Sequence, residues 1–238
     1  MKSLLLLFSA LKLGKLLTSA GSMLLAVGVQ ALVYGWRFAA GLVGLLFVHE
    51  MGHYLAARQR RLDVSLPFFI PFVGAWINLR EAPPDAETEA YVAYAGPFIG
   101  TLGAFACYWM GRETGDAFWL ALAKSGFVLN LFNMIPVSPL DGGRITAVLT
   151  PRVWLLGVPC LIGLWAYWPS PILILVSVLA VPQLIAAWRY DPRAPANQAY
   201  YGVLLAIRAQ WALLYIGLVI VLALFIQQTQ ELLPRKFG

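Results

Sequence analysis

The sequence predicts an all-α polytopic membrane protein with about six to seven transmembrane helices and one short re-entrant β-hairpin. Of the 238 residues, 61% are hydrophobic and only 12% are charged, whereas a soluble domain is about 45–50% apolar and about 25% charged. The apolar residues form long runs, and the polar segments between them are too short to fold as a second domain. We therefore expect one integral membrane domain over residues 1–238.

The first two spans carry the topology signal. An accessory span is expected at about 18–36 and a second span at about 38–57, with three arginines directly after it, at positions 58, 60 and 61. Positive residues mark the cytoplasmic ends of membrane helices, so this end and the lysine at position 15 are expected in the cytoplasm. The net charge of +6 is thus first a topology signal, and it is not evidence for nucleic-acid binding.

Residues 66–79 are apolar but too short to cross a bilayer, which takes about 20 helical residues. Pro67, Pro71 and Gly74 oppose a helix, and the Phe, Val, Trp and Ile content favours extended structure. Non-helical backbone at membrane depth is tolerated only against protein or a water-filled cavity. We therefore expect a re-entrant or interfacial β-hairpin beside a polar site.

The later spans follow in order. A third is expected at about 90–110 and a fourth begins near residue 117, and together with the second they form a core over about 38–150. Accessory spans fill about 152–228, with apolar runs at 153–167, 171–188 and 201–226. The total is seven crossings, or six if one pair is a re-entrant hairpin.

The second span carries the sequence HEMGH, which contains both histidines of the chain, His49 and His53. On a helix, positions four apart lie on one face, so two imidazoles can hold one Zn²⁺ while Glu50 acts as general base for a bound water. Ionisable groups in an apolar span are expensive, and their presence indicates a functional site. The alternative is a chance pattern or satisfied core histidines.

A catalytic zinc usually takes three protein ligands. Of the 11 acidic residues, only Glu50 and Asp141 are flanked by membrane-type sequence, so Asp141 is the candidate third ligand by elimination. Pro136 and Pro139 break the helix just before it, which frees backbone near a cavity. The alternative for Asp141 is a turn-forming Asp-Gly at a helix end.

The two motifs together resemble those of the site-2 protease family of intramembrane zinc metalloproteases. The family motifs are His-Glu-x-x-His and Asn-x-x-Pro-x-x-x-x-Asp-Gly, and here the second runs from Asn133 to Gly142. The Ala-Gly-Pro at 95–97 is similar too, and the resemblance covers about residues 38–150, the family's three-helix zinc-protease core. A PDZ-like domain between the motifs and a nucleotide-sensing domain after the last span are both lacking, so a minimal form is expected.

The resemblance implies that His49, His53 and Asp141 bind one Zn²⁺ and that Glu50 and Asn133 are catalytic, with Asn133 polarising or positioning the scissile carbonyl. It implies transmembrane protein substrates, which are hydrolysed within or near their membrane segments. The expected partners are therefore these substrates and the lipid bilayer, and no nucleic acid is expected. Asn130, one turn before Asn133, either helps at the site or makes a packing hydrogen bond.

Two other functions use the same residues. A membrane zinc transporter or zinc-binding protein needs the metal ligands but not the base Glu50, and an inactive relative would bind membrane helices without cleaving them. We expect a multi-pass protein of a bacterial or archaeal inner membrane, with its active site open toward the cytoplasmic side.

Overall fold

The computed structural model describes residues 2–234, with side chains from residue 13 onward. Its helices are, in chain order, α1 (Lys2–Tyr34), α2 (Trp36–Gln59), α3 (Ala86–Thr114), α4 (Ala117–Asn133), α5 (Asp141–Thr146), α6 (Gly157–Tyr167), α7 (Pro171–Trp188), α8 (Pro195–Tyr201) and α9 (Leu205–Leu232). A 3₁₀ helix at Pro151–Leu156 precedes α6, and β1 (Phe68–Ile70) pairs with β2 (Gly74–Trp76) between α2 and α3.

Five stretches in the described part of the chain are long and apolar enough to cross a membrane. They are Leu13–Tyr34, Trp36–Gln59, Ala86–Thr114, Pro171–Trp188 and Leu205–Leu232. The predicted all-α polytopic class is confirmed. The first of these stretches overlaps the accessory span predicted at about 18–36, whose exact bounds stay a prediction. The 17-residue α4 is shorter, so the count of six to seven crossings stays a prediction.

The core that carries the site consists of α2, α3 and α4, with α9 packed against α4. Helices α3 and α4 form a tight antiparallel pair, since Gly115 ends α3 in the left-handed conformation with φ 69° and Asp116 caps α4 by accepting a hydrogen bond from Phe118 N. Small residues let these helices approach closely, and aromatic rings fill the contact with α9, where Phe105 meets Phe225 edge-on at 4.5 Å.

The predicted β-hairpin is confirmed, and α1 holds one of its edges. Phe69 lies opposite Ala75, and its backbone N–H points away from β2 and donates to Ser22 Oγ on α1 at 3.1 Å. Ser19 Oγ of α1 donates to Pro67 O at 2.6 Å. The two serines therefore cover the edge of the hairpin formed by β1. The opposite edge, which faces away from α1, is formed by β2.

Candidate metal centre

Helix α2 places three functional side chains in the protein interior. His49, Glu50 and His53 are 3%, 7% and 4% exposed, respectively. The four-residue spacing puts both imidazoles on one helix face, where their ring centroids lie 4.8 Å apart. A charged or polar side chain is buried in this way only when it has partners, and each histidine has them.

Two glycines let α2 and α3 approach closely and leave space for the His53 ring. A Cβ added at Gly52 would lie 3.0 Å from Gly96 Cα and closer still to the carbonyl of Ala95, and a Cβ at Gly96 would overlap the His53 ring. With hydrogen atoms at both positions, His53 Nδ1 reaches Val92 O of α3 at 2.8 Å. The Ala-Gly-Pro sequence therefore positions a histidine as well as packing two helices.

Asp141 reaches the same place from the segment after α4. It is the first residue of α5 and is 7% exposed. Neighbouring elements hold the backbone around it, because Trp154 Nε1 donates to Gly143 O at 2.7 Å and the Tyr215 hydroxyl of α9 donates to Met134 O. The loop that carries Asp141 is thus fixed at both ends, and the carboxylate points into the interior.

Three ligand atoms converge at this point. The Nε2 atoms of His49 and His53 are 3.1 Å apart, and each lies 3.2 Å from Asp141 Oδ2. Zinc binds nitrogen and carboxylate oxygen at about 2.0–2.2 Å in a tetrahedron, whose ligands are then about 3.3 Å from one another. The observed triangle has the size of one face of that tetrahedron, and the three residues can hold one metal ion.

The hydrogen bonds of the two rings show why a cation fits. Because Val92 O and Asn130 Oδ1 are acceptors, the Nδ1 atoms of both histidines carry the hydrogens. Each Nε2 then presents a lone pair, and these face the carboxylate of Asp141. Three acceptor atoms within 3.2 Å of one another repel unless a cation lies between them. Zn²⁺ suits this set of two imidazoles and one carboxylate.

A second polar cluster lies beside the first. Arg144, three residues after Asp141, donates through Nε to Glu89 Oε1 at 3.2 Å, and the Tyr200 hydroxyl of α8 donates to Glu89 Oε2 at 2.7 Å. Burial, and then the charge of Glu89, raise the pKa of Tyr200 well above its ordinary value. This hydroxyl therefore stays a donor at neutral pH, and the cluster ties α3, α5 and α8 together.

The predicted site residues fall into two groups in the structure. His49, His53 and Asp141 come together as expected, and Glu50, the residue after His49 on α2, is also buried. Asn133 ends α4, where its Nδ2 donates to Leu129 O at 3.1 Å. Its role toward a substrate carbonyl stays a prediction.

Sequence reasoning left the role of Asn130 open, and it did not find Val92. Asn130 Oδ1 lies 2.8 Å from His49 Nδ1, so its hydrogen bond is made to a site residue rather than to packing alone. The available signal was the four-residue step from Gly126 and an amide in an apolar helix. No side-chain signal could mark Val92, because it acts through its carbonyl.

Comparison with known proteins agrees with this geometry. Residues 37–115 match peptidase family M50. A probable chloroplastic zinc metalloprotease of Arabidopsis thaliana, EGY1, is 35% identical over 153 residues, covering 44% of this chain and 28% of the relative. A putative zinc metalloprotease of Mycobacterium tuberculosis, Rip3, is 35% identical over 133 residues, covering 50% and 33%.

The predicted resemblance to the site-2 protease family is confirmed by these matches. A rice relative, also a probable chloroplastic EGY1 zinc metalloprotease, is 33% identical over 78 residues. The chain spans about a third or less of the length of these curated relatives.

Proposed function

We propose that this chain, whose residues 37–115 match peptidase family M50, is an intramembrane zinc metalloprotease. It hydrolyses peptide bonds within or near transmembrane segments of membrane-protein substrates. The observation that carries the proposal is the buried triangle of His49 Nε2, His53 Nε2 and Asp141 Oδ2, and Glu50, the residue after His49 on α2, is buried as well. The relatives' names are those of metalloproteases, which favours a peptidase over a zinc transporter or zinc-binding protein.

His49, His53 and Asp141 would hold the metal. When bound, Zn²⁺ lowers the pKa of a water to about 7 and acts as a Lewis acid toward a carbonyl. A buried carboxylate destabilises the fold unless it has a partner, so a structural role does not account for Glu50. As a general base, it takes the proton of the attacking water and then delivers it to the leaving amide nitrogen.

Asn133 supplies the remaining donor. An amide has two N–H hydrogens, and Leu129 O accepts one of them at 3.1 Å. The other is available for the carbonyl oxygen of the scissile bond, where negative charge develops during attack. Asn133 follows Asn130 by one helical turn on α4. Asn133 would thus donate to the substrate carbonyl, while Asn130 contacts His49.

The substrate must be extended at the site, because the carbonyls of a membrane helix are hydrogen-bonded within the helix. The edge of β2 offers the partner. Since Phe69 N–H points away from β2, its opposite residue Ala75 has its N–H and C=O on the outer edge of the hairpin. A substrate strand can add to this edge, whereas the edge of β1 is covered by Ser19 and Ser22.

A proline at position 75 tests the strand edge. Ala75→Pro removes the outward N–H but leaves the β1–β2 hydrogen bonds, and proline is tolerated on edge strands when its nitrogen faces outward. We expect weaker substrate binding, seen as a raised KM, with zinc content unchanged. Ala75→Val is the matched control, because it keeps the N–H and a strand-favouring side chain. Equal KM values for both variants would exclude strand addition at β2.

The lipid bilayer is the environment, and the orientation is proposed from charge. Arg58, Arg60 and Arg61 cluster at the end of α2, five to eight residues beyond the HEMGH motif. The positive-inside rule favours the cytoplasm for this end, so the site opens toward the cytoplasmic side. A bacterial or archaeal inner membrane fits this arrangement.

Glu50→Gln tests the activity. The substitution keeps the shape and a hydrogen bond but removes the base, and loss of general base catalysis costs about 10²–10⁴ in rate. We expect the purified variant to fold, to retain zinc by elemental analysis, and to lose nearly all cleavage of a membrane-helix substrate. A transporter would keep its metal flux. Cleavage near the parent rate would refute the protease mechanism.

A further inference from the structure

We propose that Asn130 is a positioning residue that holds the imidazole of His49 with Nε2 toward the metal. The inference rests on the proposed function of the site, but it concerns a residue outside the ligand set. Asn130 Oδ1 lies 2.8 Å from His49 Nδ1, and Asn130 is 1% exposed. The side-chain oxygen of Asn130 therefore accepts its hydrogen bond from His49 at a buried position.

The orientation of the amide is determined by its second partner. Asn130 Nδ2 donates to Gly126 O at 2.8 Å, one turn earlier on α4. The reversed amide would place two carbonyl oxygens against each other, so Oδ1 must face His49. His49 then carries its hydrogen on Nδ1, which leaves the lone pair on Nε2, the atom that lies 3.2 Å from Asp141 Oδ2.

The third helix of the core confines this amide. A Cβ built at Gly100 of α3 would lie 3.0 Å from Asn130 Nδ2 and 3.1 Å from its Cγ, and it would overlap Oδ1. The glycine thus leaves a space that the amide fills, and the side chain passes α3 to reach α2. Confinement by packing is what makes an outer hydrogen bond hold a ligand in one geometry.

The two histidines depend on different kinds of partner. His53 Nδ1 donates to the backbone carbonyl of Val92 at 2.8 Å, and no side-chain substitution removes that acceptor. His49 depends on the side chain of Asn130. Substitution at position 130 should therefore disturb the tautomer of His49 alone, which separates positioning from a general loss of packing.

The experiment compares Asn130→Leu, which has a similar volume and no acceptor, with Asn130→Asp, which keeps one. Loss of an outer hydrogen-bond partner typically costs 10–100-fold in metal affinity. We expect that loss of zinc affinity in Asn130→Leu, measured by competition with a chelator, and zinc affinity within a few-fold of the parent in Asn130→Asp. Asn133→Leu on the same helix is the matched control, and it should bind zinc like the parent while losing activity.

Histidine-selective ¹⁵N NMR reads the tautomers directly, because the chain has only 2 His. The parent and Asn130→Asp should show Nδ1–H on both rings, whereas metal-free Asn130→Leu should show a mixture on His49 and an unchanged His53. Parent zinc affinity with unchanged tautomers in Asn130→Leu would overturn the proposal, as would zinc bound through Nδ1 of His49 in the parent.

The other possible outcomes of these experiments also test the proposed role of Asn130. If Asn130→Leu does not fold, a more than tenfold loss of zinc affinity in Asn130→Asp overturns the proposal, and if neither variant folds, the parent tautomers decide it. A parent that binds zinc with these tautomers but cleaves no membrane-helix substrate refutes the proposed protease and leaves the role of Asn130 intact.

Discussion

Replacing Gly96 by alanine should abolish zinc binding although no ligand residue is substituted. The added methyl group would meet three atoms of the His53 ring, of which Cδ2 is the farthest at 2.7 Å. Carbon atoms in contact prefer about 3.5–4.0 Å, so the imidazole must move by about 1 Å or the helices must separate. A metal–ligand distance tolerates only about 0.2 Å.

The size of the effect follows from that mismatch. His53 cannot keep both its 2.8 Å hydrogen bond to Val92 O and its place 3.2 Å from Asp141 Oδ2 after such a shift. The loss of zinc affinity should therefore exceed the 10–100-fold typical of an outer hydrogen-bond partner. Overpacking of this kind also costs about 1–3 kcal/mol of stability, which the fold can survive.

The assay is a chelator competition for zinc, run with thermal unfolding in detergent so that folding is measured separately. Gly44→Ala is the matched control, because it lies on α2 and its added methyl meets nothing within 4 Å. We expect parent-like zinc affinity in the control and near-complete loss in Gly96→Ala. A folded Gly96→Ala protein with parent zinc affinity would mean that α2 and α3 do not approach as described.

Two further predictions concern the third ligand and the topology. Asp141→Ala removes one corner of the ligand triangle and should abolish stoichiometric zinc, so full occupancy by elemental analysis would take Asp141 out of the ligand set. For topology, single cysteines at positions 63 and 113 should label from the cytoplasmic and outer sides, respectively, in a background without the exposed Cys160; labelling of position 63 from outside alone would reverse the orientation.

Much of the site could be predicted because it is formed by residue types that are rare in this chain. The chain has only 2 His, four positions apart, and helical geometry alone puts them on one face. Asp141 followed by elimination, since the other acidic residues apart from Glu50 lie in polar surroundings. The β-hairpin was likewise predictable from prolines and strand-favouring residues in a run too short to span.

What could not be predicted depends on how helices meet. Asn130 and Asn133 are both amides on α4, and the sequence does not tell which one turns toward His49. That choice is made by the space at Gly100 and by the pairing of α3 with α4.

Metal binding and helix packing are coupled in this core. The ligands come from α2 and from the start of α5, while the partners of the two imidazoles come from α3 and α4. The ligand triangle can therefore exist only when α2, α3 and α4 are packed, and a ligand that binds only the packed state stabilises it by mass action. The close contacts at Gly52 and Gly96 follow from the same requirement, because a wider separation of α2 and α3 would take His53 away from Val92 O before any metal could bind.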